Sequence, residues 1–102
     1  MQEPKRYMGI HNDPYGAMHS TGNIIRDAWV FGLIPETETC EGWLPQGLDA
    51  LYDKVYAAWE PYAGIPSRLP PELLERHTRI YDAAVKRARE LGWDPDEMIE
   101  NS

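Results

Sequence analysis

The densest run of chemically capable side chains lies between Tyr7 and His19, where Met8, His11, Asn12, Asp13, Tyr15 and Met18 intervene. Imidazoles and carboxylates here, together with Cys40 and His77 further along, are the ligand types that hold zinc or another transition metal. A metal site built from His11, Asp13, His19, Cys40 and His77 is therefore the sharpest chemical expectation. Its spacing follows no established pattern. No second cysteine accompanies Cys40, no two histidines stand four residues apart, and Leu74 occupies the position where a Glu-x-x-His ending at His77 would need glutamate. A competing reading needs no metal: Tyr7, Met8, Ile10, Tyr15 and Met18 clamp the segment onto a core while its polar groups close turns. No other cofactor is expected.

Other chemistries have less support. Cys40 lies between Glu38 and Glu41, whose charges favour the neutral thiol, the reverse of what a nucleophile needs. The carboxylate pairs Glu36/Glu38 and Asp94/Asp96 fall in polar segments with nothing nearby to desolvate them for acid–base work. Gly16, Gly22 and Gly32 do not form a phosphate-cradling loop, and no Gly-x-Ser-x-Gly elbow occurs. The sequence nominates no catalytic residue, and an enzyme is not the expectation. His77, on an apolar helical stripe, reads either as a core-edge side chain with one hydrogen bond or as a ligand or pH-responsive group.

Composition points elsewhere. Leu, Ile, Val and Phe make up under a fifth of the 102 residues, against four Trp and six Tyr. One small core is not expected to enclose them all, and exposed aromatics are enriched where proteins dock. Trp29, Trp43, Trp59, Trp93 and Tyr15 are accordingly the partner-binding candidates, the alternative being a single aromatic core. The leading functional expectation is a non-catalytic interaction or accessory module that self-associates or docks on a larger protein partner. The alternative is a metal- or small-ligand-binding protein or enzyme with its site where the His11–His19 loop meets Cys40 and His77. Acids beside aromatic faces would also suit an organic cation.

A net charge of −7 disfavours nucleic acid as partner, since phosphate neutralisation requires clustered excess bases. The six bases between Arg68 and Arg89 interleave with Glu72, Glu75, Asp82 and Glu90 and read as a solvated face, or as a docking surface for an acidic partner or for the acidic 36–67 stretch of a second copy. The apolar stretch Ala28–Pro35 falls far short of the roughly 20 residues a membrane span needs. The opening MQEPKRYMGIHND lacks an apolar leader, and a lone cysteine fits a reducing compartment, so a cytoplasmic location is expected.

The elements that must position these side chains are helical. Residues 1–102 fit one domain: an irregular segment over 1–19 with a turn at Asn12–Gly16, then helices, then an acidic tail over 94–102. Ser20 and Thr21 are candidate caps for a first helix over about 22–31, with Gly32 past its end and a strand over 28–34 as the competing reading. A connector over 36–42 has room for one helical turn begun by Pro35. A second helix over 45–59 carries the stripe Leu48, Leu51, Tyr52, Val55, Ala58 and Trp59, and Pro61 ends it. After a proline-rich loop, a third helix over 71–91 carries Leu73, His77, Ile80, Tyr81, Ala84, Ala88 and Leu91 on one face. Glu72–Arg76, Glu75–Arg79 and Asp82–Lys86 pairs lie on the other. Trp93 is expected to pack back past Gly92. The expected fold class is all-α: a small three-helix bundle with an irregular N-terminal loop packed over it.

Overall fold

A computed structural model describes residues 5–93, without the side chain of Tyr15; the acidic tail over 94–102 lies outside the described residues. The fold is all-α, with α1 at Pro14–Ala17, α2 at Ser20–Val30, α3 at Pro45–Trp59 and α4 at Pro71–Glu90. Short 3-10 turns at Glu60–Tyr62 and Pro66–Arg68 join the last two helices. The described residues contain no strand, so the 28–34 strand reading gives way to helix as far as Val30. The three long helices form the expected arrangement.

Prolines set both long helix starts. Pro45 and Pro71 occupy the first helical position, where a missing N–H costs nothing and φ is already helical. α3 stops at Trp59 because Pro61 cannot continue the ladder, and the chain turns away through Ala63 in the left-handed region at φ 54°. α4 carries Glu72 in its first turn and Arg87 and Arg89 in its last, matching its dipole. Past its end Gly92 takes φ 97°, and the Trp93 N–H reaches the Ala88 carbonyl at 2.9 Å, folding the half-buried indole residue back as expected.

Four local expectations are corrected. The 1–19 segment is not wholly irregular, because Asp13-Pro14 starts the single turn α1. α2 begins at Ser20 with His19 as its cap residue, so Ser20 and Thr21 lie inside the first turn and supply no capping hydrogen bond. Pro35 begins no helix; the connector opens instead with a turn closed by the Glu38 N–H on the Pro35 carbonyl at 2.9 Å. On α4 none of the three anticipated acid–base pairs is among the ion pairs of the described residues. Its bases serve neighbouring elements: Arg76 donates to the Val30 carbonyl at 2.9 Å, and Arg79 grips Glu36 with two bonds of 2.9 and 3.1 Å.

The core draws on the N-terminal loop, α1, α2, the connector and α3: Ile10, Ala17, Ile25, Ala28, Cys40, Leu51 and Val55 are buried together. Tyr7, Trp29, Trp43 and Trp59 pack around them. The N-terminal segment is tied over this core by backbone bonds to the connector: Tyr7 N–H to Trp43 C=O and Gly42 N–H to Tyr7 C=O, both 2.8 Å, and Ile10 N–H to Thr39 C=O at 3.0 Å. α1 leans on the C-terminal half of α4, with Gly16 against Ala88. No helix among the described residues is long and apolar enough to cross a membrane.

Candidate functional site

Two of the anticipated metal ligands meet. Asp13 precedes α1 in extended backbone, yet its carboxylate makes no capping bond and turns instead to the N-terminal segment. One oxygen accepts the Tyr7 hydroxyl at 2.6 Å and lies 2.7 Å from His19 Nε2. Burial, then the Asp13 carboxylate, raises the Tyr7 hydroxyl pKa well above its ordinary value, so Tyr7 is a fixed donor. His19 stays open to solvent while Asp13 is largely covered.

The other three ligand candidates go elsewhere. His11 is exposed on the loop ahead of α1. Cys40 is fully buried in the left-handed backbone region at φ 62°, and burial, with the Glu38 charge, pushes its thiol pKa up to about 11. His77 stacks on Tyr81 with ring centres 4.5 Å apart and meets the edge of Trp59 at 6.0 Å. Among the described residues no three His, Cys, Asp or Glu side chains converge to hold a metal ion. Residue type alone made these five candidates; the topology brings Asp13 and His19 together and leaves His11, Cys40 and His77 apart.

A different polar centre joins the helices. Asp27 on α2 accepts the Tyr81 hydroxyl of α4 at 2.5 Å and the Trp59 indole N–H of α3 at 3.0 Å, one on each carboxylate oxygen. Around it Phe31 meets Trp59 edge-on at 5.1 Å and stacks on Tyr62 at 6.4 Å. Burial and the Asp27 charge raise the Tyr81 hydroxyl pKa far above its usual value. The hydroxyl therefore works as a permanent structural donor.

This centre and its surroundings account for much of the aromatic surplus. Trp29 donates to the Glu38 carbonyl at 3.0 Å, Trp59 to Asp27, and Trp43 covers Gly47. All four tryptophans are half-buried, and three of them pack on the core. The partner candidate Tyr15 has a side chain outside the described residues.

Among the described residues, the aromatics left in solvent are Tyr52 and Tyr56, 49% and 68% exposed, with ring centres 6.2 Å apart in a stacked pair. Tyr52 was expected on the inward stripe of α3. That stripe is narrower: Leu51 and Val55 are buried, Leu48 and Trp59 pack beside them, and Tyr52 falls on the adjoining face. There it shares i, i+3, i+4, i+7 spacing with exposed Asp49, Asp53 and Tyr56. The Tyr-x-x-x-Tyr spacing between acids was the signal available in the sequence.

Sequence reasoning also missed Arg26, which is only 3% exposed. Its guanidinium closes the end of α1: Nη1 donates to the Ala17 carbonyl at 3.0 Å and to Asn23 Oδ1 at 3.2 Å, and Nη2 donates to the Gly16 carbonyl. No carboxylate of the described residues lies within ion-pair distance of it. Burial lowers its pKa from the ordinary arginine value. Its placement between Gly22 and Trp29 on the inward face of α2 was the clue. No family model, curated protein or solved structure matches the chain.

Proposed function

We propose that the protein is a non-catalytic docking module that offers the outward face of α3 to a Lys/Arg-rich segment of another protein. The stacked pair Tyr52–Tyr56, held in solvent and interleaved with Asp49 and Asp53 along one helix face, is the observation that carries this reading. Tyrosines supply large contact area with few rotatable bonds, and partner residues that bury such rings become hot spots. Flanking carboxylates select cations, which then find the electron-rich ring faces. Self-association through this face has less support: a two-fold contact would set Asp49 and Asp53 against their own copies. The opposite charge on α4 is already partly used within the chain, by the Arg79–Glu36 pair.

A metal-dependent activity has less support again, because the ligand candidates do not converge and the Cys40 thiol stays protonated at neutral pH. The test compares wild type with Tyr52→Ser/Tyr56→Ser, using a fluorescent Lys/Arg-rich peptide and a Glu-rich peptide of equal length. Salt-sensitive binding of the basic peptide alone, weakened about tenfold or more in the variant at unchanged melting temperature, supports the reading. Equal binding of both peptides, or none, sinks it. A concentration-dependent dimer that the same variant abolishes would replace the foreign partner with a second copy.

A further inference from the structure

A cleft of about 570 Å³ opens between the N-terminal loop, α2 and α4, and takes no residue from α3. That volume falls within the range of small-molecule sites. Its apolar wall includes Trp29, Ile80 and Ala83; its polar groups are Arg26, Arg79 and Arg87, set against Glu36 and His11. In a chain of net charge −7, Arg26, Arg79 and Arg87 line this cleft with Glu36, and with Glu90 reaching Arg87 from outside at 3.4 Å the balance still leaves a locally cationic place.

Two observations fix the sign of what fits. Arg26 is a buried, permanently charged group held only by carbonyl and amide oxygens. Removing such a charge from water with carboxylates, Asp27 and Asp13, acting only from beyond contact distance is costly, and an anion in the cleft would compensate it further. At the mouth, Glu36 lies on Arg79 through two parallel bonds of 2.9 and 3.1 Å, the fork geometry in which a guanidinium takes a carboxylate or phosphate. This pair is exposed on both sides, so its release costs little. Arg79, Ala83 and Arg87 follow one another at single-turn intervals along α4, giving a cation, a flat apolar step and a second cation.

We propose that this cleft binds a small organic anion, with a carboxylate or phosphate head on an apolar body. The head takes the place of Glu36 on Arg79, with Arg26 compensated behind it. The body lies on Ala83 and Ile80 toward Trp29. Glu36 is then a competing internal anion, which holds Arg79 in the geometry the ligand needs and lowers its apparent affinity. The site is separate from the tyrosine face and does not depend on it.

Titration calorimetry with octanoate and phenyl phosphate, each followed in parallel through the Trp29 indole N–H signal, tests the assignment. Octanol and inorganic phosphate serve as the body-only and head-only arms. Saturable binding of either organic anion below about 1 mM, with both single-part arms at least tenfold weaker, is expected. The tighter of octanoate and phenyl phosphate identifies the head group. Arg79→Gln weakens binding about tenfold, whereas Glu36→Gln tightens it at least about threefold. Opposite shifts from two partners of one surface ion pair cannot come from lost stability, because both variants break the same pair. Equal affinity in wild type and the two variants overturns the proposal, as does binding of octanol as tight as octanoate, or no saturable binding of either anion.

Discussion

Tyr81 on α4 donates a 2.5 Å hydrogen bond to Asp27 on α2, across 54 residues of chain. Because the second oxygen of the same carboxylate takes the Trp59 indole of α3, one short side chain couples the three long helices. Removing it leaves the Trp59 indole N–H without an acceptor in a half-buried junction and Tyr81 with only its longer bond of 3.2 Å to the Asn23 carbonyl. Asp27→Ala is expected to cost about 2–4 kcal/mol in urea unfolding, and Tyr81→Phe, which leaves Trp59 paired, about 1 kcal/mol. A loss for Asp27→Ala no larger than for Tyr81→Phe would show that the carboxylate does not act as a hub.

Gly22 reverses an ordinary rule. Alanine in place of an interior helical glycine normally stabilises by about 1 kcal/mol. Here a Cβ at position 22 would sit 1.9 Å from the Ala17 carbonyl oxygen and 2.8 Å from the Ala17 Cβ, where backbone must move. Gly22→Ala should therefore destabilise by about 1–3 kcal/mol. Gly47→Ala, whose Cβ would meet only the rim of Trp43 at 3.4 Å, should be neutral or gain up to about 1 kcal/mol. Thermal melts of the two variants give opposite signs if the close approach of α1 to α2 is real.

How much of this was legible can be judged element by element. α3 and α4 announce themselves through Pro45 and Pro71 at their starts, apolar positions at helical spacing, and Pro61 or Gly92 beyond their ends. α1 does not, because a single turn after Asp13-Pro14 has no length over which a period could show. The polar centres were illegible for another reason. Asp27, Arg26 and Arg76 have the residue types of a solvated helix face, and only the arrival of Trp59, α1 and the end of α2 makes them internal. Spacing along one helix reports which face turns inward, not what another helix brings to meet it.

Alkaline pH should loosen the fold. The Cys40 thiol keeps its proton in the folded state up to about pH 11. In the unfolded chain it ionises near its ordinary value of about 8.5. Between those values the unfolded state binds fewer protons, so stability falls as pH rises through the window. Tyr7 and Tyr81 extend the loss beyond pH 10, since both hold their protons more tightly folded than unfolded. Urea midpoints measured from pH 7 to 11 should decline, and Cys40→Ala should remove the earliest part of that decline while the tyrosine part persists. A flat profile to pH 11 would contradict the burial of all three groups.

Arg26 is expected to matter through its hydrogen bonds more than its charge. Arg26→Met keeps the bulk but removes the guanidinium from the Gly16 carbonyl and leaves the Ala17 carbonyl with only the His19 N–H, costing about 1–3 kcal/mol. Hydrogen exchange should then quicken first at the His19 and Asn23 amides, which lie at the junction of α1 and α2. Uniform acceleration across α3 and α4 instead would mean that the guanidinium supports the whole bundle rather than the α1 end.

The bonds that fasten residues 7–10 to 39–43 also set an order of events during synthesis. Residues 7–10 leave the ribosome well before their partners have been added, and Ile10 and Ala17 wait with them for the rest of the core. Helix formation in α2 is local and fast, whereas closing the loop around it must span about 30 to 36 residues. For that interval the nascent chain carries an unpaired apolar stretch, Tyr7 to Ile10, open to capture by a chaperone or a neighbouring chain.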